Sequence, residues 1–281
     1  MLFRSIRIVL PQPEDTASWP GAGGLSHHAM HHLVVADAPK RIWGVGIGEG
    51  SDLRNHMFAE PIIADGKIYT MDSEGVIECL DAKTGKQLWK AKSAPKHEED
   101  NKFLGGALAI DRGKVFATSG AASVIAYDAE TGKEVWRSPT DTPIRAAPTV
   151  NGGRVFVTTI ENQIVAMAES DGRKLWSYIG ASTPTVLLGG TAPAVDGGVV
   201  VAALTTGELV ALRADTGTQL WLENVVAVRR TEAMANLPDI AARPVIDKGR
   251  VYAVGQSGVM VAIDLRTGSR MWEVPVAGIY E

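Results

Sequence analysis

Four histidines, His27, His28, His31 and His32, fall within six residues of one another. Imidazole is the side chain most often used to hold zinc or copper or to move a proton near neutral pH. On a helix, His27 would share a face with His31, and His28 with His32, one turn apart. No nearby Glu supplies the base of a hydrolytic metal site, and the segment precedes the ordered repeats described below. The segment is therefore read as a polar leader covering one end of the fold, with no metal. Glu98, Glu99 and Asp100 form the densest acidic run but sit in a charged stretch, and read as a solvated loop rather than an oxygen cage for calcium. His56 and His97 are isolated. Cys79 is the single cysteine, so an intrachain disulfide, a redox CxxC pair and a Cys-rich zinc site are excluded. It reads as a small apolar core residue. Neither a G-x-S-x-G elbow nor a phosphate-cradling glycine loop occurs. Residues of catalytic type are present without a catalytic arrangement.

The 281 residues carry 28 Lys+Arg against 32 Asp+Glu, a net charge of -4, and no strip of basic residues that would displace phosphate counterions from a nucleic acid. With 45% hydrophobic and 21% charged residues the balance is globular. The longest apolar run, from Val199 to Leu204, falls far short of the ~20 residues of a membrane helix. Near the start, only Ile8, Val9 and Leu10 stand between Arg7 and Pro11, which does not read as a signal peptide. The expectation is a soluble chain whose first residues carry no export signal.

What must position any functional residue is a repeat. Five segments align: Asp81-Ala-Lys-Thr-Gly-Lys-Gln-Leu-Trp89, Asp128-Ala-Glu-Thr-Gly-Lys-Glu-Val-Trp136, Ala168-Glu-Ser-Asp-Gly-Arg-Lys-Leu-Trp176, Arg213-Ala-Asp-Thr-Gly-Thr-Gln-Leu-Trp221 and Asp264-Leu-Arg-Thr-Gly-Ser-Arg-Met-Trp272. Trp43 ends what looks like a sixth, and successive Trp are 46, 47, 40, 45 and 51 residues apart. Pro61, Pro148, Pro193 and Pro244 each precede their Trp by 28 residues, with Leu108 in that place in the second repeat. The repeat thus has a rigid body of fixed length, and the length variation falls in the connectors. Within the body, runs such as Lys67-Ile-Tyr-Thr-Met and Arg154-Val-Phe-Val-Thr are β-branched or aromatic and of strand length. Gly-containing turns separate them, and the Thr-Gly or Asp-Gly pair turns the chain into the strand that bears Trp. Four strands in roughly 35 residues make a β-propeller blade. The sequence predicts an all-β propeller, with blades at about 59–94, 106–138, 146–179, 191–224 and 242–276, a strand near 41–47, and a leader over 1–36. The repeated Trp43, Trp89, Trp136, Trp176, Trp221 and Trp272 are read as plugs between blades rather than as a ligand-binding set.

These segments resemble the pyrroloquinoline-quinone-like propeller repeat, D-x-x-T-G-x-x-x-W, over about residues 59–276. Within that group the chain resembles the BamB family of outer-membrane lipoproteins, through Trp19-Pro-Gly-Ala-Gly-Gly, Ala38-Pro-Lys-Arg-Ile-Trp43 and Leu237-Pro-Asp239-Ile-Ala-Ala-Arg-Pro244-Val245. The resemblance implies a non-catalytic adaptor without a cofactor, at the periplasmic face of the outer membrane, that assists the barrel-assembly machinery and binds BamA. It also implies eight blades, with an N-terminal strand completing the last, and a lipid anchor on an N-terminal Cys. Trp43 marks such a strand, yet the fifth blade already owns an outer strand at Trp272. The expectation is five blades of eight, about three lying beyond the C-terminus of this sequence and the signal and lipid-bearing Cys before its start. A closed five-bladed ring is the alternative.

Variable connectors on a rigid scaffold are the place for function. Connectors 176–193 and 221–244 carry apolar residues a solvated loop does not need: Val186, Leu187 and Leu188, then Val225, Val226 and Leu237. In the BamB family these connectors grip the periplasmic part of BamA with a Leu-x-Leu-Arg stretch and a pair of Asp. Leu187 matches the second Leu, with Thr185 in place of the first and Leu188 in place of the Arg; Asp239 matches the first Asp, with Ala241 in place of the second. Packing between blades for Leu187 and a turn cap for Asp239 are the other readings. A quinone-dependent oxidoreductase shares the repeat. The resemblance would then imply a catalytic Asp, calcium ligands and commonly a vicinal disulfide, which one Cys cannot make. A ligand-sensing propeller would need a pocket in its central channel.

Overall fold

Every period-two run in the repeat pairs with the next across a tight turn. The computed structural model describes residues 9–51, 57, 59–94, 106–181, 191–225, 240, 242–255 and 258–276. Blade 1 comprises β1 (Ile62–Ala64), β2 (Lys67–Met71), β3 (Val76–Asp81) and β4 (Gln87–Lys92). Blade 2 comprises β5 (Leu108–Asp111), β6 (Lys114–Ser119), β7 (Ser123–Asp128) and β8 (Glu134–Pro139). Blade 3 has β9 (Thr149–Asn151), β10 (Arg154–Thr158), β11 (Gln163–Ala168) and β12 (Lys174–Ile179). Blade 4 has β13 (Ala194–Asp196), β14 (Val199–Ala203), β15 (Glu208–Arg213) and β16 (Gln219–Asn224). Blade 5 has β17 (Val245–Asp247), β18 (Arg250–Gly255), β19 (Val259–Asp264) and β20 (Arg270–Pro275). Each blade is an antiparallel sheet in chain order, so the described residues form an all-β propeller of five up-and-down blades.

Three local devices recur. The first hairpin turns at two residues with positive φ, Asp65-Gly66 (50° and 70°) or Gly197-Gly198 (53° and 79°), the backbone sense that suits the right-handed twist of paired strands. In the last hairpin, the Asp81 carboxylate accepts the Thr84 amide at 2.8 Å and its hydroxyl at 2.7 Å, an arrangement repeated by Asp128 with Thr131 and Asp264 with Thr267. The Thr hydroxyl first and the amide second hold Asp81 and Asp128 below the ordinary carboxylate range; at Asp264 the amide leads. The third device is a register shift between the third and fourth strands of every blade, next to a small residue facing Trp: Cys79, Ala126, Ala166, Ala211 and Ala262. Cys79 therefore fills an alanine-like position under Trp89, and burial pushes its thiol up to about 11.

The core lies between blades rather than within them: apolar clusters join blades 1 and 2, 2 and 3, 3 and 4, and 4 and 5. Each junction has the same coupling. Trp89 Nε1 donates to the Ala129 carbonyl of the next blade at 2.9 Å, Trp136 to Glu169 at 3.1 Å, Trp176 to Ala214 at 3.0 Å and Trp221 to Leu265 at 2.8 Å. The indole lies on the turn glycine three residues further on; a Cβ at Gly132 would stand 2.6 Å from the Trp89 ring, and φ there is +69°.

The two ends of the array differ. Trp43 occupies the acceptor seat on blade 1, donating to the Ala82 carbonyl at 3.0 Å, and Glu49 and Gly50 continue over that face by accepting from Ser73 Oγ. Residues 41–47 form no ladder there, for want of a neighbouring strand among the described residues. At the other end, Trp272 is 40% exposed and has no hydrogen-bond partner among the described residues, and all six residues of β20 are exposed. With the blade 1 seat taken by Trp43, Trp272 cannot close the circle on it. The described blades form an open arc, not a closed five-bladed ring.

Candidate functional site

Leu187, Leu188 and Asp239, the positions the sequence marks for partner binding, lie outside the described residues, as do Val186, Val226, Leu237, His56, His97 and the acidic run 98–100. The flanks of connector 221–244 are described and correct one expectation. Val225 is buried in the cluster between blades 4 and 5 with Trp221 and Val251, so its apolar side chain serves the core rather than a partner. Ile240, which sequence reasoning passed over, is buried in the same cluster. The connector is thus pinned at both ends, and the stretch between them carries Leu237 and Asp239.

The histidine-bearing leader departs further from expectation. His28 and His31 have left-handed backbones, with φ of 62° and 51°, which rules out a helix through the cluster and the shared faces it would give. Residues 19–31 instead form a strap along the free edges of the innermost strands, on the axis side of the arc. The Ile63 amide donates to the Trp19 carbonyl at 2.9 Å, Ile110 to Pro20 at 2.7 Å, Val195 to Ser26 at 2.7 Å and Ile246 to His27 at 2.9 Å. Ile63, Ile110, Val195 and Ile246 are equivalent positions, each two residues after the repeat's Pro or Leu anchor, and register turns their amides away from their own sheets. Close approach of two backbones needs small residues, and the strap reads Pro20-Gly-Ala-Gly-Gly24 there. At blade 3 a side chain replaces the main-chain bond: Asn151 Nδ2 donates to Ser26 Oγ at 3.0 Å, and Ser26 Oγ donates to the Val195 carbonyl. Beside Val150 the strap leaves a cavity of about 190 Å³, bordered also by Ala22, Ser26, Asp111 and Thr149. That is below the roughly 300 Å³ at which cofactor and drug-sized pockets begin.

Where the strap meets blade 5, charge collects. His28 Nδ1 donates to the Pro244 carbonyl at 2.8 Å. The ring is part-buried, against Gly23 and the Arg243 guanidinium. Arg243 Nη1 lies 2.6 Å from Glu60 Oε1, and Glu60 Oε2 accepts the Gly23 amide, so the entries to blades 5 and 1 are tied through the strap. Burial pushes the His28 imidazole down to about 4, opposed by the Pro244 bond and reinforced by Arg243 and His27. His31 Nε2 stands 3.6 Å from Asp247 Oδ1, and His32 meets the Pro11 carbonyl at 2.8 Å. Among the described residues, no three His, Cys, Asp or Glu side chains converge as a metal site would require.

The family model described as outer membrane protein assembly factor BamB matches residues 73–281. The chain belongs to the BamB family. Among its curated relatives, the outer membrane protein assembly factor BamB of Yersinia pestis is 27% identical over 248 residues, which is 86% of this chain and 62% of that one. The Vibrio cholerae protein of the same name is 31% identical over 238 residues, 84% of this chain and 60% of that one. This BamB-family chain therefore spans about 60% of the length of those relatives. Among solved structures, BamB from Moraxella catarrhalis superposes with a TM-score of 0.67 at 21% identity, covering 77% of this chain and 64% of that one. A quinohemoprotein alcohol dehydrogenase from Pseudomonas putida HK5 gives 0.69 at 18%, covering 93% and 48%. At these identities both structural likenesses speak to the fold alone.

Proposed function

We propose that this chain is a non-catalytic scaffold of the outer-membrane β-barrel assembly machinery, acting at the periplasmic face of the outer membrane and binding the periplasmic domain of BamA. The observation that carries the reading is the BamB family match over residues 73–281, on a repeat whose Trp couplings are spent on joining blades. Connectors 176–193 and 221–244 form the binding face, with Leu187 and Leu188 as apolar contacts and Asp239 as the charged one. The burial of Val225 and Ile240 supports this, because it holds the second connector at a fixed place on the blade 4–5 junction. A role without chemistry is supported by the curated relatives, which are named as assembly factors. Further blades of the same repeat complete the ring between Trp272 and the Trp43 segment, giving eight in all.

Titrating the folded chain against the purified periplasmic domain of BamA tests the reading. Saturable binding, weakened tenfold or more by Leu187→Glu or Asp239→Arg, is the expected result. Binding that both substitutions leave unchanged removes the connectors from the interface. A folded chain that does not bind at all overturns the scaffold reading for these blades.

A further inference from the structure

The blade 5 end of the strap is fastened through two imidazoles. His27 Nδ1 accepts the Ala29 amide at 3.0 Å, which requires a lone pair on that nitrogen. His28 donates from Nδ1 to Pro244, its part-buried ring and the Arg243 guanidinium both lying against Gly23. The carbonyl between these two rings, that of His27, receives the Ile246 amide, and Ser26 beside it receives Val195. A proton added to the His28 ring places a second positive charge near Arg243, whose own charge is balanced by Glu60. Working in the opposite direction, His31 attracts Asp247 of β17 more strongly once charged; at 3.6 Å, with both side chains partly exposed, that pair contributes little. The bonds of Trp19 and Pro20 to blades 1 and 2 at the other end run main chain to main chain, with no titratable group in them.

We propose that the strap is a pH-operated latch, closed on blades 4 and 5 while the His28 ring is neutral and released from them when mild acid protonates it, with residues 19–21 staying on blades 1 and 2. The His28 ring is held down to about 4 when the strap is seated and returns to an ordinary value near 6.5 when it lifts. The released form therefore binds more protons, so the latch is fully closed above pH 6.5 and weakens as pH falls from 6.5 toward 4. The ratio (1 + 10^(6.5−pH))/(1 + 10^(4−pH)) gives an opening constant about 20-fold larger at pH 5 than at pH 7 from His28 alone. Release would bare the Val195 and Ile246 amides, strand-edge donors that another extended segment could take up.

Amide hydrogen exchange on the intact chain at pH 7 and pH 5, corrected for the intrinsic pH dependence of exchange, reads the latch directly. Protection at Ile246 and Val195 should fall about 20-fold while Ile63 and Ile110 change less than about threefold. His28→Gln keeps a donor for Pro244 and does not titrate, and should cut the response at Ile246 severalfold. Should that variant fail to fold, the midpoint of the His28 ring resonances in the unmodified chain serves instead, expected below 5. Equal protection at the two pH values, a loss at Ile63 as large as at Ile246, a response undiminished in His28→Gln, or a ring midpoint near 6.5 each overturns the latch.

Discussion

Trp89 and Trp272 are a matched pair for measuring what a blade junction contributes. Each packs against the aromatic residue of its own second strand in the same geometry, Tyr69 at 5.9 Å and 49° and Tyr252 at 6.0 Å and 47°. They differ in what lies beyond. Trp89 is 9% exposed and bonded to Ala129, whereas Trp272 is 40% exposed and unbonded among the described residues. The difference, 31 percentage points of the roughly 250 Å² an indole side chain can bury, is about 80 Å², or ~2 kcal/mol at ~25 cal/mol per Å². The Trp89 bond to a buried carbonyl adds ~1 kcal/mol. Trp89→Ala should therefore destabilise the chain by about 3 kcal/mol more than Trp272→Ala. Urea unfolding followed by circular dichroism, with equal slopes for the two variants, gives the comparison. Equal losses would refute the reasoning, because they would mean that the outer face of β20 is covered in solution. Repeating the measurement at two protein concentrations would then show whether self-association covers it.

Four further expectations follow from the same geometry. Gly132→Ala sets a Cβ 2.6 Å from the Trp89 ring and should cost more than Gly113→Ala, where φ is +71° but no atom lies within 4 Å; thermal unfolding of the two variants separates backbone strain from collision. Cys79→Ala should shift stability by less than ~1.5 kcal/mol, since four other blades carry Ala there, whereas Cys79→Leu should overpack the space under Trp89. With its thiol near 11, the native chain should also resist alkylation at pH 8 until denatured. The carboxyls of Asp81, Asp128 and Asp264 are depressed in the fold, so the stability they contribute is present above their unfolded value near 4 and is lost as pH falls below it. Asp128→Asn should flatten the acid limb of a stability-against-pH curve measured from pH 6 to 2.5.

The blades were legible because their periodicity is local. A fixed 28-residue body, Gly turns and a terminal Trp specify strands that pair with their sequence neighbours, and the five sheets follow in chain order. Whether the array closes was not legible, because it depends on which Trp holds the Ala82 carbonyl, a contact 39 residues from Trp43 and independent of any period. The strap was missed for a similar reason. Its fit rests on main-chain bonds from residues 19–27 to strands as distant as β17, and side-chain patterns do not encode such bonds. A clue lay in Pro20-Gly-Ala-Gly-Gly24, whose small residues allow close backbone approach outside any repeat turn. The histidine numbering gave no sign of the strap either, because left-handed φ at His28 and His31 removes the helical spacing it would imply. At the candidate partner face the sequence picked out the connectors, but it could not separate Val225 and Ile240, which the core absorbs, from the residues between them.

Each Trp coupling has a giver and a receiver, so the row of blades has polarity, like a filament with unlike ends. Any blade offers its successor an indole, and offers its predecessor a carbonyl and a glycine three residues on. Because those parts are interchangeable from one blade to the next, excising or duplicating a whole unit of about 45 residues leaves every surviving joint chemically intact, whereas a cut of half a unit destroys two. A lineage built on such joints can change its blade number by unequal recombination without inventing a new contact. The strap, which touches each inner edge at a particular residue, is the part that counts the blades and would have to be refitted.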